Sequence, residues 1–155
     1  MSRWLALAAV LVGLDQLSKY GMMSMLAGGN GIEVTPFFNL VLVHNRGAAF
    51  SLLSNASGWQ REFFIAIAVI ASVWVVYLLR RHPHETRFCL ALALILGGAV
   101  GNVIDRVLFG AVIDFLDFHV AGYHWPAFNV ADSAITCGAA LLIWDGLRPG
   151  KSATS

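Results

Sequence analysis

Four long apolar stretches govern what this chain can fold into, and in three of them the polar residues gather at one end. The first starts at Trp4 as WLALAAVLVGL and then meets Asp15, Gln16 and Lys19. The second, Phe63 to Leu79, carries no charge, and the third, Phe88 to Ile104, ends against Asp105 and Arg106. The fourth, Phe128 to Trp144, holds Asn129 and Asp132 near its start. A helix of about 20 residues, or about 17 at the short end, crosses the hydrocarbon of a bilayer. Each stretch is long enough.

Composition points the same way. The 155 residues are 58% hydrophobic and 12% charged, with a mean hydropathy of +0.71. Soluble domains carry about 25% charged residues, and a soluble chain this apolar would lack the polar surface to cover its core. The sequence therefore reads as an integral membrane protein, one domain over residues 1–155. Spans are expected near 4–25, 63–79, 88–107 and 128–147, with outer loops at 26–62 and 108–127 and a short loop at 80–87. A net charge of +1 gives no footing for nucleic acid. Cys89 and Cys137 lie in apolar runs and read as buried small hydrophobes. The start MSRWLALAAVLVGL has a basic end like a signal peptide, but no small-residue cleavage site follows it, so it reads as an uncleaved span.

Basic residues set the expected orientation. Arg80, Arg81 and Arg87 crowd the short second connection, Arg148 and Lys151 follow the fourth stretch, and Arg3 precedes the first. By the positive-inside rule these face the cytoplasm, as do both termini. Asp15, Lys19, Asn45, Arg46, Asn102, Asp105, Arg106, Asp114, Asp117, Asn129 and Asp132 then converge on the outer side. Ionisable groups in a membrane are costly and mark function by default. Asp15 with Lys19 and Asn102 with Arg106 are spaced i, i+4, while Asn102 with Asp105 and Asn129 with Asp132 are i, i+3, so each pair shares a helix face. Gly97, Gly98 and Gly101 would admit a close neighbour.

The reactive residue type in this layer is aspartate. Two carboxylates sharing a proton can act on a water as base and acid, because like charges so close cannot both ionise. Arg and Asn nearby would orient them and donate to developing charge. His44, His119 and His124 do not have the spacing of a zinc helix, so no metal is expected. Plainer readings compete: Asp15 with Lys19 as an intrahelical pair, Asp105 with Arg106 as an interfacial one, and Asp117 as a solvated loop residue. If VIDFLDF (Val112 to Phe118) is helical, Asp114 and Asp117 share a face; if extended, they point apart.

The blocks DQLSK (Asp15 to Lys19), FNLVLVHNRGAAFS (Phe38 to Ser51), GGAVGNVIDR (Gly97 to Arg106), VIDF (Val112 to Phe115) and FNVAD (Phe128 to Asp132) together resemble the lipoprotein signal peptidases, or type II signal peptidases. The resemblance implies an all-α integral membrane protein with four transmembrane helices. It adds a small extramembrane β-cradle from the first connection and a short interfacial helix from the third. It also implies a cofactor-free aspartic endopeptidase of the bacterial inner membrane, acting as a monomer. Such an enzyme cuts prolipoproteins just before a diacylglyceryl-modified cysteine. By motif match the catalytic pair would be Asp114 and Asp132, with Asp15, Lys19, Asn45, Asn102, Arg106 and Asn129 lining or supporting the site. Membrane lipid and globomycin-type cyclic peptides would be its other ligands. The alternatives are a small transporter or ion-conducting subunit, or a scaffold that binds lipoproteins without cutting them. A transporter predicts polar residues through the membrane depth, and the cytoplasmic halves of the second and fourth stretches are almost wholly apolar.

Overall fold

The structure, a computed structural model, describes residues 1–47 and 59–147. The last residues of the FNLVLVHNRGAAFS block, from Ala48 on, and the basic pair Arg148 and Lys151 lie outside the described residues. Four helices form on the four apolar stretches: α1 (Ser2–Met25), α2 (Gln60–Arg81), α3 (Thr86–Phe109) and α4 (Val130–Gly146). Between α1 and α2 run strands β1 (Ile32–Thr35) and β2 (Phe38–Asn45), and between α3 and α4 run β3 (Val112–Val120) and β4 (Tyr123–His124).

The third helix is the axis of the bundle, packing against each of the other three. Its small residues let it do so. A Cβ on Gly97 would come within 2.8 Å of Leu11 Cβ on α1, and one on Gly98 would collide with the Ala131 carbonyl oxygen on α4. Gly138 returns the contact, since its Cβ would meet the Ala91 carbonyl at 2.7 Å. Gly110, with φ at +73°, closes α3 in the left-handed conformation that spares glycine a steric penalty. The apolar core gathers at the other end, around Trp4, Ala8, Val75, Leu79, Cys89 and Leu92.

By length and composition, α2 and α3 can each cross a membrane. Most of α2 is uncovered by protein, and Ile67, Ile70, Val73 and Trp74 are exposed. Apolar surface of that extent is stable only against lipid or a partner. In α1 the apolar run is broken by buried Asp15 and Lys19, and α4 has 17 residues.

The sheet has the order β1-β2-β3-β4, all antiparallel. The first connection thus contributes two strands to a cradle, as the resemblance implies, but the third corrects the expectation made for it. No helix forms between α3 and α4. VIDFLDFHV is rich in β-branched and aromatic residues, which suit a pleated strand, and β2 is available to pair with it. A register shift between Leu40 and Val43 sets Val43 opposite Asp114 and Asn45 opposite Val112, a kind of irregularity that re-aims side chains. Two further expectations change. Asp117 is buried rather than solvated, and Cys137 is exposed on α4 while Cys89 alone is buried.

Candidate active site

Asp114 and Asp132 approach one layer from different elements, a strand and a helix. Asp114 sits within β3, whose first four residues are all buried. Its Oδ1 accepts from Asn129 Nδ2 at 2.7 Å and its Oδ2 from Asn45 Nδ2 at 3.1 Å. Asp132 lies in the first turn of α4, and Asn102 Nδ2 on α3 donates to its Oδ1 at 2.8 Å. The two carboxylates are joined through amides. Asn129 Nδ2 also approaches Asn102 Oδ1 at 3.4 Å, while Asn129 Oδ1 accepts the Asp132 backbone N–H at 2.9 Å.

Asn129 is therefore the N-cap of α4, an ordinary use of Asn at a helix start. A second free N–H of that helix end, from Ala131, is taken by Asp15 Oδ1 at 2.9 Å. A carboxylate at a helix N-terminus is favoured by the helix dipole, so α1 fixes where α4 begins. Gly101 makes room for it, since a Cβ there would lie 2.5 Å from Asp15 Oδ2.

Beneath the pair lies a fully buried ionic cluster. Lys19 Nζ is 2.7 Å from both Asp15 Oδ2 and Asp105 Oδ2 and 3.1 Å from Asn102 Oδ1. Gln16 Nε2 donates to Asp105 Oδ1 at 2.8 Å, and Asp105 Oδ2 accepts the Ile113 N–H at 3.1 Å. Arg106 points elsewhere: its Nη1 donates to Asn102 O at 3.3 Å, its Nη2 to Gly47 O at 3.5 Å, and its guanidinium lies over the Phe64 ring.

All eight residues singled out in the sequence thus fall in one connected layer. Two more belong to it. Gln16 was passed over as a polar interruption, and Asp105, placed on this side and at i, i+3 from Asn102, was weighed mainly as an interfacial pair with its neighbour Arg106. The signal for Asp105 was its i, i+3 spacing from Asn102, which puts it on the Lys19 side; successive helix residues point about 100° apart. Asp117 stands outside the layer, held by Asn39 Nδ2 at 3.0 Å and His124 Nδ1 at 2.9 Å.

The electrostatics distinguish these two strand carboxyls. Burial pushes Asp114 up to about 7, helped by the negative charge of Asp132 and opposed by the Asn45 and Asn129 hydrogen bonds and by Lys19. Burial also acts to raise Asp117, but hydrogen bonds from His124 and Asn39 outweigh it and hold that carboxyl below the usual range. Of these two, Asp114 is the one poised to gain and lose a proton near neutrality.

Two cavities flank the layer. One, of about 580 Å³, is lined by Asp132, Asn102 and Arg106 and runs along α4 past Ile135, Thr136 and Cys137. The other, of about 670 Å³, is lined by Asp114, Asp117, His44 and Arg46. Asn45 and the segment Trp125, Pro126 and Ala127 line both and form the wall between them. Asp132 thus lines one cavity and Asp114 the other. Such a set can activate a water and protonate a carbonyl oxygen.

A family model described as signal peptidase (SPase) II matches residues 7–148. A lipoprotein signal peptidase of Paraburkholderia phymatum is 58% identical over 153 residues, covering 99% of this chain and 92% of that protein. One of a Janthinobacterium species is 58% identical over 148 residues, covering 96% and 90%. A solved structure described as a bacterial membrane enzyme superposes with a TM-score of 0.82 at 34% identity, covering 99% of this chain and 96% of the other.

Proposed function

Since the chain belongs to the signal peptidase II family and so is a membrane-embedded peptidase of lipoprotein processing, we propose that it is an aspartic endopeptidase whose catalytic pair is Asp114 and Asp132. The observation that carries this reading is the pair of amides, Asn102 and Asn129, that links the two carboxylates. Asp114, which holds a proton up to about 7, starts as the acid and Asp132 as the base.

In this mechanism Asp132 takes a proton from water, and the water oxygen attacks the carbonyl carbon of the residue before the modified cysteine. Asp114 gives its proton to the carbonyl oxygen, forming a gem-diol. A proton then passes from Asp132 to the cysteine nitrogen as the C–N bond breaks. The diol's own proton returns to Asp114, leaving a new carboxyl end and a free lipidated cysteine amine. Asn45 and Asn129 steady Asp114, Asn102 steadies Asp132, and Arg106 pins the Gly47 backbone beside the pair. Asp15 and Lys19 support the layer from beneath.

The setting we propose is the bacterial inner membrane. All four helices cross it, both termini face the cytoplasm, and the sheet lies on the outer side of a single membrane domain. The substrate is a diacylated prolipoprotein whose acyl chains stay in lipid, globomycin-type peptides compete for the same site, and one copy of the chain suffices. The transporter reading has no comparable support. The test is cleavage of a diacylated prolipoprotein peptide in detergent by wild type, Asp114→Asn and Asp132→Asn. Either substitution is expected to reduce turnover by about 10³-fold or more while the protein still inserts. Wild-type-like turnover by either variant sinks the assignment.

A further inference from the structure

We propose that Lys19 is a positioning residue for the reaction, fixing the Asn102 side-chain amide so that its NH2 group donates to the Asp132 carboxylate. The inference rests on the aspartate-pair reading above and assigns the ammonium a task beyond charge balance.

An ammonium carries three hydrogens and accepts nothing. Those of Lys19 have three acceptors, Asp15 Oδ2, Asp105 Oδ2 and Asn102 Oδ1, at 2.7, 2.7 and 3.1 Å. The residue is 1% exposed, so no hydrogen is left for a substrate and no path leads to one. The atom of Asn102 that faces such a group must be its oxygen. The planar amide then turns its NH2 the other way, onto Asp132 Oδ1 at 2.8 Å. Asn129 Nδ2 supplies a second donor to the same Asn102 oxygen at 3.4 Å. A flipped amide would set its NH2 against two donors and its oxygen against a carboxylate.

The polarity travels further. With Asn102 presenting oxygen, Asn129 keeps its NH2 toward Asn102 and Asp114 and its own oxygen toward the Asp132 N–H. Gln16 bridges the two lower carboxylates beside Lys19, donating to Asp15 Oδ2 at 3.2 Å and Asp105 Oδ1 at 2.8 Å. The charged groups around Asp132 are thus Asp15 and Lys19 from α1, Asp105 and Arg106 from α3, and Asp114 from β3. Among these, Lys19 is the one that dictates which end of Asn102 meets Asp132.

Lys19→Met removes the donor and frees the amide to turn. The expected result is a kcat lowered about tenfold or more, with KM changed by less than about threefold. The acid limb of the kcat–pH profile should also move to higher pH, because Asp132 loses a hydrogen bond that favours its charged form. The lost positive charge also moves that limb through space, so the single variant is paired with one that restores the charge balance. Removing one buried cation can also prevent folding, so the second variant is Lys19→Met with Asp105→Asn. It keeps the net charge of the cluster, largely cancels the through-space effect, and should still show a limb displaced to higher pH. A profile scaled down but unmoved in that variant overturns the proposal. In the wild type, the Asn102 side-chain amide resonance in 15N-asparagine-labelled protein should shift across the acid limb, and an unshifted resonance overturns it equally. Turnover by Asp132→Asn would instead overturn the aspartate-pair reading, so the two failures are distinguishable.

Discussion

At the scale of single residues, the proposed acid, Asp114, carries the expected pH dependence. Its carboxyl keeps a proton to about 7, whereas an unfolded aspartate loses it near 3.8. The acid form is the one that can protonate a carbonyl oxygen, so kcat/KM should fall as pH rises through about 7, read from a pH–rate profile in detergent. The same shift has a consequence for stability. Between those two pH values the folded chain holds more protons than the unfolded one, so stability declines as pH rises across the window. Asn at position 114 cannot ionise, and Asp114→Asn should escape that decline. Thermal unfolding at pH 5 and pH 8 checks this: the variant should gain on the wild type at the higher pH while remaining inactive. Activity and stability are then opposed at one position, as they often are where a site keeps a costly group. The candidates on helices were legible because helical spacing is fixed, whereas Asn45 and Asp114, which lie on strands, were picked out by the resemblance. Asp15 and Lys19 at i, i+4 do meet, at 2.7 Å. Whether that pair was only structural could not be read, because its third partner, Asn102, is 83 residues away along the chain.

At the scale of elements, the close approach of α3 and α4 decides where Asp132 sits. A Cβ on Gly98 would drive into the Ala131 carbonyl and also lie 2.7 Å from Ile135 Cγ1. Backbone cannot yield as a flexible side chain can, so Gly98→Ala must push the helices apart. Overpacking of this kind costs about 1–3 kcal/mol, and the displacement carries Asp132 away from Asn102. Lower thermal stability and a sharp loss of cleavage are expected together. Gly28→Ala is the control, because nothing lies within 4 Å of a Cβ there and both properties should stay as in wild type. The four helices were readable from runs of apolar residues, which encode helices locally. The strand β3 was not, and the reason is physical. A strand is completed by a partner elsewhere in the chain, here β2, about 70 residues earlier. VIDFLDF alone fits a half-buried helix or a strand, and only the pairing of Val43 with Asp114 and Asn39 with Asp117 separates the two carboxylates. One then faces the amide layer, and the other faces His124.

On the proposed function, the whole molecule presents this layer to a lipidated substrate, which constrains how it lies in the membrane. The buried Asp15, Lys19 and Asp105 cluster, the sheet and both cavities flanking the aspartates occupy one end of the helix bundle, while the apolar core around Trp4, Leu79 and Cys89 occupies the other. Arg80, Arg81 and Arg87 mark that second end, between α2 and α3. Translocating such a cluster is disfavoured, so the arginine end should stay in the cytoplasm and the aspartate end should reach the outer face. The orientation can be tested with cysteines placed at the two extremes in a Cys89→Ala, Cys137→Ala background. Tyr123, 84% exposed beyond the end of β3, marks the sheet side, and His84 marks the connection between α2 and α3. A membrane-impermeant thiol reagent added to intact spheroplasts should label Tyr123→Cys and spare His84→Cys until the membrane is opened. The reverse pattern would put the aspartates on the cytoplasmic side and overturn the proposed orientation. Labelling of both sites in sealed cells would mean that α3, the helix between them, does not cross, and a bundle around α3 would then have to be covered by something other than lipid. Retained cleavage of a diacylated peptide by the Tyr123→Cys protein would tie the labelled face to the active form.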